Sequence, residues 1–281
     1  TGNPNVRGLQ LELGNYGSVH VRHCSCLNTA ATNGGFLTEV SGPGSGGTVF
    51  DCYLYGWSAV SKSSGTESYD AVFEICHNCL ESKANDNVER WTLLYHHNIV
   101  KGMAWPVSCV AYGNAVSFNN IFWASGPAQE RMAYLAGLFN MNGVGGSMTS
   151  YNNIFCVDRS GACAFLDNGE VIRVAAGGEL RYEDYNLFYD TNGGVWPEAY
   201  KIDYFSTNTD WKHEFGEHDL WDTDPMFVDP ENWDFRLRET SPCIKAGRPD
   251  VHGKPTDMGI GTLRPAWERP TLTPRGSILS K

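Results

Sequence analysis

The sequence predicts an all-β fold, a parallel β-helix (solenoid) of about seven or more coils with an irregular C-terminal cap and tail, and three observations carry that prediction. The first is a recurring phrase of two polar residues, usually including an Asn, followed by two apolar ones. It reads Cys24-Ser25-Cys26-Leu27, Asp51-Cys52-Tyr53-Leu54, His77-Asn78-Cys79-Leu80, His97-Asn98-Ile99-Val100, Asn119-Asn120-Ile121-Phe122, Asn152-Asn153-Ile154-Phe155 and Tyr185-Asn186-Leu187-Phe188. Its second residue falls at 25, 52, 78, 98, 120, 153 and 186, at intervals of 20 to 33 residues. A unit returning every ~20–50 residues marks a solenoid, in which each repeat buries its apolar face only against its neighbours. The second observation is a β-branched or aromatic run before each phrase, at 18–22, 47–50, 71–75, 91–95, 115–118, 147–151 and 179–182. Helices do not fit beside two or three strands in a ~20-residue unit, so each unit is one rung stacked ~4.8 Å above the last.

The third observation is composition. Of 281 residues, 31 are Gly and only 19% are charged, while 41% are hydrophobic. That balance suits many short strands and turns around a sizeable core, and excludes a disordered or coiled-coil chain. A net charge of −11 argues against nucleic acid or an anionic membrane as partner, since both need clustered Lys and Arg. No window of ~18 apolar residues is present, so no membrane span is expected.

In this register like residues sit on like. The last apolar column reads Leu27, Leu54, Leu80, Val100, Phe122, Phe155 and Phe188, an expected internal stack. The marked column holds Asn78, Asn98, Asn120, Asn153 and Asn186. An Asn amide both donates and accepts, and Asn tolerates the left-handed conformation at a turn, so an asparagine ladder is the physical reason for the repetition. The nine cysteines lack the doubled spacing of a zinc ribbon. A stack of small buried thiols is the favoured reading, with disulfides or a metal as alternatives.

After Tyr189 the phrase stops, and about 190–217 reads as an irregular insertion or cap. Then come Asp224-Pro225-Met226-Phe227-Val228-Asp229-Pro230-Glu231-Asn232-Trp233-Asp234-Phe235-Arg236-Leu237, Ser241-Pro242-Cys243-Ile244-Lys245-Ala246-Gly247 and Asp257-Met258-Gly259. This ending, with the Asn-Asn-Ile-Phe phrases and Asp184-Tyr185-Asn186-Leu187-Phe188-Tyr189, resembles the final coils of right-handed parallel β-helix proteins among the glycoside hydrolases and polysaccharide lyases. The resemblance covers residues 110–261 and is specific for fold rather than for one activity. It implies one β-helix domain over 1–261, with 262–281 (Pro265, Pro270, Pro274) as an extended Pro-rich tail. It also implies a secreted, extracellular or periplasmic protein whose partner is a polysaccharide or oligosaccharide. Such helices open on a capping element, whereas Val6–Leu13 enters directly with strand alternation. A missing segment or a second chain covering the first coil is therefore expected.

The column before the ladder, Cys24, Asp51, His77, His97, Asn119, Asn152 and Tyr185, carries the most chemistry. Asp51, His77 and His97 would lie on adjacent coils, where a His beside a carboxylate serves as general acid or base. Glycoside hydrolysis needs two carboxyls, ~5–5.5 Å apart for retention or ~6.5–9.5 Å for inversion, and Asp51 with Glu74 is the candidate pair. The expected catalytic residues are thus Asp51, Glu74, His77 and His97. A lyase would instead use cations and a base, with Arg90 and Lys101 in one coil as substrate-binding candidates. Trp57, Trp105 and Trp123 are candidate sugar platforms. A non-catalytic binding or adhesin module is the third reading. No cofactor is called for, and calcium is the one ion left open. The stretch Gly42–Gly47 fits a dinucleotide fingerprint but opens no helix. His213 and His218 stand five apart, which misses the i, i+4 spacing of a zinc protease.

Overall fold

The computed structural model describes the strands named below and, with their side chains, residues 48–49, 52, 94–100, 116–123, 149–156, 181–195 and 216–261. The chain winds through three parallel sheets in the order A, B, C. Sheet A runs from Leu9–Gln10 through Phe36–Glu39, Ala59–Ser63, Leu80–Lys83, Val107–Val110 and Phe139–Met141 to Ile172–Val174. Sheet B runs from Ser18–Arg22 through Gly46–Phe50, Gly65–Tyr69, Thr92–His96, Asn114–Phe118 and Ser147–Tyr151 to Glu179–Asp184. Sheet C runs from Ser25–Leu27 through Tyr53–Tyr55, Val72–Glu74, Ile99–Lys101, Ile121–Ala124, Ile154–Val157 and Leu187–Asp190 to Leu220–Trp221. The architecture is a parallel β-helix. Among the described residues the one helical turn is the 3-10 element Pro230–Asn232, and no helix is long and apolar enough to cross a membrane.

The asparagine ladder stands at the turn from sheet B to sheet C. Each amide is wholly or almost wholly buried and serves the next rung in two ways. Asn153 Oδ1 accepts from the Asn120 backbone N–H and from Asn120 Nδ2, both at 3.0 Å. Asn120 Oδ1 does the same for Asn98 at 2.9 and 3.1 Å, and Asn186 Oδ1 for Asn153 at 2.9 and 3.2 Å. The Nδ2 groups also donate back into sheet B, from Asn120 to Tyr95 O and Ser117 Oγ and from Asn153 to Ser117 O and Ser150 Oγ. Turn N–H groups that would otherwise be buried and unpaired are thereby satisfied by the ladder.

The left-handed backbone is not at the ladder residues but one position earlier. His97, Asn119, Asn152 and Tyr185 have φ of 55°, 56°, 57° and 60°. The bend between the sheets is made there, which explains why small or hydrogen-bonding residues recur in that column and why tolerating His97 and Tyr185 requires firm support on either side.

Inside the helix, Val100, Phe122, Phe155, Phe188 and Trp221 are paired in register along sheet C. Phe122 stacks on Phe155 at 4.9 Å, Phe155 on Phe188 at 5.2 Å and Phe188 on Trp221 at 4.2 Å. Burying each ring contributes about 1.5–3 kcal/mol, and offset stacking adds about 0.5–1.5 kcal/mol.

Three sequence expectations need correction. The early coils are out of step: Leu54 pairs with Cys26 and Phe73, and Leu27 with Tyr55. Leu80 lies in sheet A, beside Ser61 and Val107, so the phrase at His77–Leu80 does not lead into sheet C. Asn78 itself is outside the described residues, and the position equivalent to Asn98 two coils earlier, before Tyr53, is the buried Cys52. Second, the register does not end at Tyr189. Leu187 and Phe188 pair with Leu220 and Trp221, which makes Asp219 the next ladder residue; its Oδ1 accepts the Asn186 backbone N–H at 2.7 Å. Third, residues beyond Asp222 are not further coils. Phe227–Asp229 and Asp234–Leu237 form an antiparallel pair, and the segment folds back over sheet C. Cys52, Cys156 and Cys243 are buried, and Cys156 and Cys243 are free thiols; the tail 262–281 lies outside the described residues.

Replacing Asn153 by Ala removes both an acceptor for Asn120 and two buried donors, and is expected to cost about 3 kcal/mol. Phe155→Ala is expected to cost about 3–5 kcal/mol through its cavity. Denaturant unfolding at constant m-value measures both.

Candidate functional site

Sheet C is apolar on both faces. Residues alternating with the phenylalanine column, Ile99, Ile121, Ile154 and Leu187, point outward and are almost fully buried. They are covered by Phe227, Trp233, Phe235, Leu237, Cys243, Met258 and Ile260. The C-terminal segment is therefore a clasp across the outside of the helix, and a both-faces-buried strand reads as a continuous apolar run.

The pre-ladder column anchors the clasp. Asn119 Nδ2 donates to Asp257 O and Gly259 O at 3.1 and 2.8 Å. Asn152 Oδ1 accepts from the Arg248 N–H at 2.6 Å, its Nδ2 donates to Thr256 Oγ1 at 3.1 Å, and its carbonyl accepts from Gly259 N at 2.7 Å. Gly259 has φ +67°, and a Cβ there would stand 2.7 Å from Ile154 Cδ1, so only glycine brings the clasp this close. Arg248 lies over the rings of Tyr151 and Tyr182 at 5.0 and 4.8 Å, a cation–π contact that seals the corner. Beside it, His96 stacks on Phe118 at 4.7 Å and Phe118 on Tyr151 at 5.1 Å.

Between clasp and helix lies a cavity of about 480 Å³. Sheet C supplies Trp123 and Tyr189, which share one register row two coils apart. The strand end supplies Thr191 and Asn192, and the clasp supplies Asp224, Met226, Phe227, Pro230, Glu231 and Arg238. Trp123 packs edge-on against Phe227 and Phe235 at 6.0 and 5.7 Å. It is 7% exposed, and its indole Nε1–H is buried without a hydrogen-bond partner. Asp224 is held in place by the Met226 N–H, 2.8 Å from Oδ1, and Met226 itself is left-handed at φ 56°. Arg238 donates Nε and Nη2 to the carbonyls of Phe227 and Val228 at 3.1 and 3.0 Å. Burial, then the charge of Asp224, raises the Tyr189 hydroxyl above its usual range. The thiols of Cys156 and Cys243 are also raised by burial, Cys243 to about 12, which leaves them protonated and unreactive.

Of the residues singled out by sequence, Trp123 lines this cavity. Glu74 and Lys101 share its register row on sheet C. His97 sits at the sheet B–C turn, its Nδ1 2.9 Å from His96 Nδ1. Asp51, His77, Trp57, Arg90 and Trp105 lie outside the described residues. Tyr189, Asp224, Glu231 and Arg238 were missed because the ending was taken for coils; the signal was the Asp-Pro turns at 224–225 and 229–230, which break strands rather than extend them. Among the described residues no group of three His, Cys, Asp or Glu is placed to hold a metal ion. Compared with family models, curated proteins and solved structures, the chain matches none.

Asn152→Ala removes two side-chain anchors of the clasp at once. Its expected effect is faster proteolysis within 247–260 while the parallel coils stay intact, as seen by mass spectrometry of the fragments and unchanged far-UV circular dichroism.

Proposed function

We propose that the protein is a polysaccharide-degrading enzyme, a glycoside hydrolase acting outside the cell, with its substrate bound in the cavity between sheet C and the clasp. The observation that carries this reading is the unpartnered, buried indole N–H of Trp123 at a cavity that also holds two carboxylates. A buried donor left unpaired costs about 1–3 kcal/mol, and in this reading substrate binding opens that atom to a sugar hydroxyl, which recovers the cost. Aromatic walls with a few polar groups are what a glycan ring needs, an apolar face to lie on and acceptors and donors at its rim.

In this proposal the chemistry belongs to Asp224 and Glu231. One carboxyl gives a proton to the glycosidic oxygen, and the other activates water or attacks the anomeric carbon. Asp224, oriented by the Met226 N–H, takes the base or nucleophile role, and Glu231 takes the acid role. Two acids and one Arg give the cavity a net negative rim, and two of the Arg238 nitrogens are already engaged with backbone carbonyls. That balance favours hydrolysis over elimination at a uronate, which requires cationic neutralisation of the substrate carboxylate.

Incubation with neutral and uronate polysaccharides, read by reducing ends and by absorbance of unsaturated product, tests the reading. Reducing ends without unsaturated product are expected, and Asp224→Asn and Glu231→Gln are each expected to lower kcat/KM by about 10²–10⁴-fold. Unsaturated product would move the assignment to a lyase. No product on any polymer, or full activity in both variants, would overturn it.

A further inference from the structure

The last rung of the ladder is built from different residues than its middle. Ser117, Ser150 and Glu183 form one register column in sheet B. In the middle rungs a serine hydroxyl donates to the Asn of the next coil, from Ser117 Oγ to Asn153 Oδ1 at 3.2 Å and from Ser150 Oγ to Asn186 Oδ1 at 3.4 Å. At the end, Glu183 stands where the serine was and Asp219 where the asparagine was. The other bonds of the motif are kept: Asn186 Nδ2 donates to Glu183 Oε1 at 2.7 Å, as Asn153 Nδ2 does to Ser150 Oγ at 3.1 Å. The Gly216 N–H is shared between Glu183 Oε2 at 2.9 Å and Asp219 Oδ2 at 3.0 Å.

Where the serine–asparagine bond stood, Glu183 and Asp219 meet carboxyl to carboxyl, an oxygen of each resting on the one Gly216 N–H. A hydroxyl brings its own proton to that position, whereas two carboxylates bring none, so the bond exists only while the pair holds one. The surroundings enforce the same condition. Glu183 is 4% exposed, and the further charge that bears on both groups is Asp184, itself a carboxylate, whose Oδ2 is 2.9 Å from His218 Nδ1 and whose Oδ1 accepts the Tyr185 and His218 N–H groups. Tyr185 lies flat on His218 at 4.3 Å, and Arg248 is over Tyr182.

We propose that Glu183 and Asp219 form a proton-dependent latch that fastens the terminal rung, residues 216–222, to the preceding coil, closed when the pair shares a proton and opened when it is lost. Burial first, then each other's charge, pushes Asp219 up to about 10; burial pushes Glu183 up to about 6. The two titrate as a unit, so one proton stays between them at neutral pH. Because the folded pair binds protons more tightly than the unfolded chain, its stabilisation is complete below the ordinary carboxylate range near pH 4 and declines as the pH rises through the raised values. The rung leads directly into Asp224 and Met226, so opening it also loosens the clasp and the cavity it walls.

Amide hydrogen exchange of the full chain, corrected for the intrinsic pH dependence, tests the latch without reference to catalysis. The reporters are Leu220 N–H, bonded to Asn186 O, and Asp222 N–H, bonded to Phe188 O; Ile154 N–H, bonded to Asn120 O, is the internal control. Protection of the reporters is expected to fall at least tenfold between pH 5 and pH 9 while the control holds. Asp219→Asn, which supplies an amide donor like the other rungs, and Glu183→Gln, which supplies one from the opposite side, are each expected to flatten that profile. A flat profile in the natural protein, or an unchanged slope in whichever variant folds, overturns the proposal.

Discussion

One constraint governs the described coils: at the corner between sheets B and C, each rung from Asn98 to Asn186 must bury a turn N–H that has no strand partner. The amide oxygen of the asparagine one coil further on accepts that N–H, and its own nitrogen donates back into sheet B. Because the bond runs from Asn98 to Asn120 to Asn153 to Asn186, each rung is correct only if the next one is in place. A one-residue slip would put an apolar side chain where an amide oxygen is required, at a cost of the order of a lost buried hydrogen bond at each rung, about 1–3 kcal/mol. The phenylalanine stack then follows, since fixing the corner fixes which residues of sheet C turn inward.

The same corner determines where the rest of the chain goes. The left-handed residue that makes the bend points its side chain away from the ladder, and at Asn119 and Asn152 that side chain is what holds the clasp. The clasp is needed because sheet C has an outer isoleucine row as well as an inner phenylalanine row, and a parallel sheet left with one apolar face in water is not stable alone. Covering the row also encloses Trp123 and creates the cavity. Fold, clasp and candidate site are thus consequences of one turn.

Much of this was legible in the residues, and the failures have physical causes. The four successive asparagines and the apolar pairs behind them mark the corner from Asn98 to Asn186, because an amide carries its donor and its acceptor on separate atoms and so gives and takes along a stack. Upstream that mark fades: Cys52 has no amide, so His77-Asn78-Cys79-Leu80 looked like a corner when its leucine enters sheet A. Downstream, Asp219-Leu220-Trp221 is the same phrase with a carboxyl for an amide, and the change of residue hid the rung. The two-faced burial of sheet C was visible as Ile-Phe and Leu-Phe pairs, yet a single sequence does not say which of the two faces meets the helix interior. Trp123 was singled out in the residues and lines the cavity, whereas Asp224 and Glu231, which line it too, were not, because their placement depends on the clasp folding back across distant coils.

The central claim is that the ladder carries the cooperativity of the helix. Residue-resolved hydrogen exchange in the natural protein and in Asn153→Ala measures this most directly. The account predicts that the N–H groups of Asn98, Asn120 and Asn153 are among the slowest to exchange and open with one common free energy, and that removing the single amide at Asn153 accelerates all three together. If instead only the Asn120 N–H, the direct partner of Asn153 Oδ1, exchanged faster and its neighbours kept their protection, the rungs would be independent and the account would be contradicted.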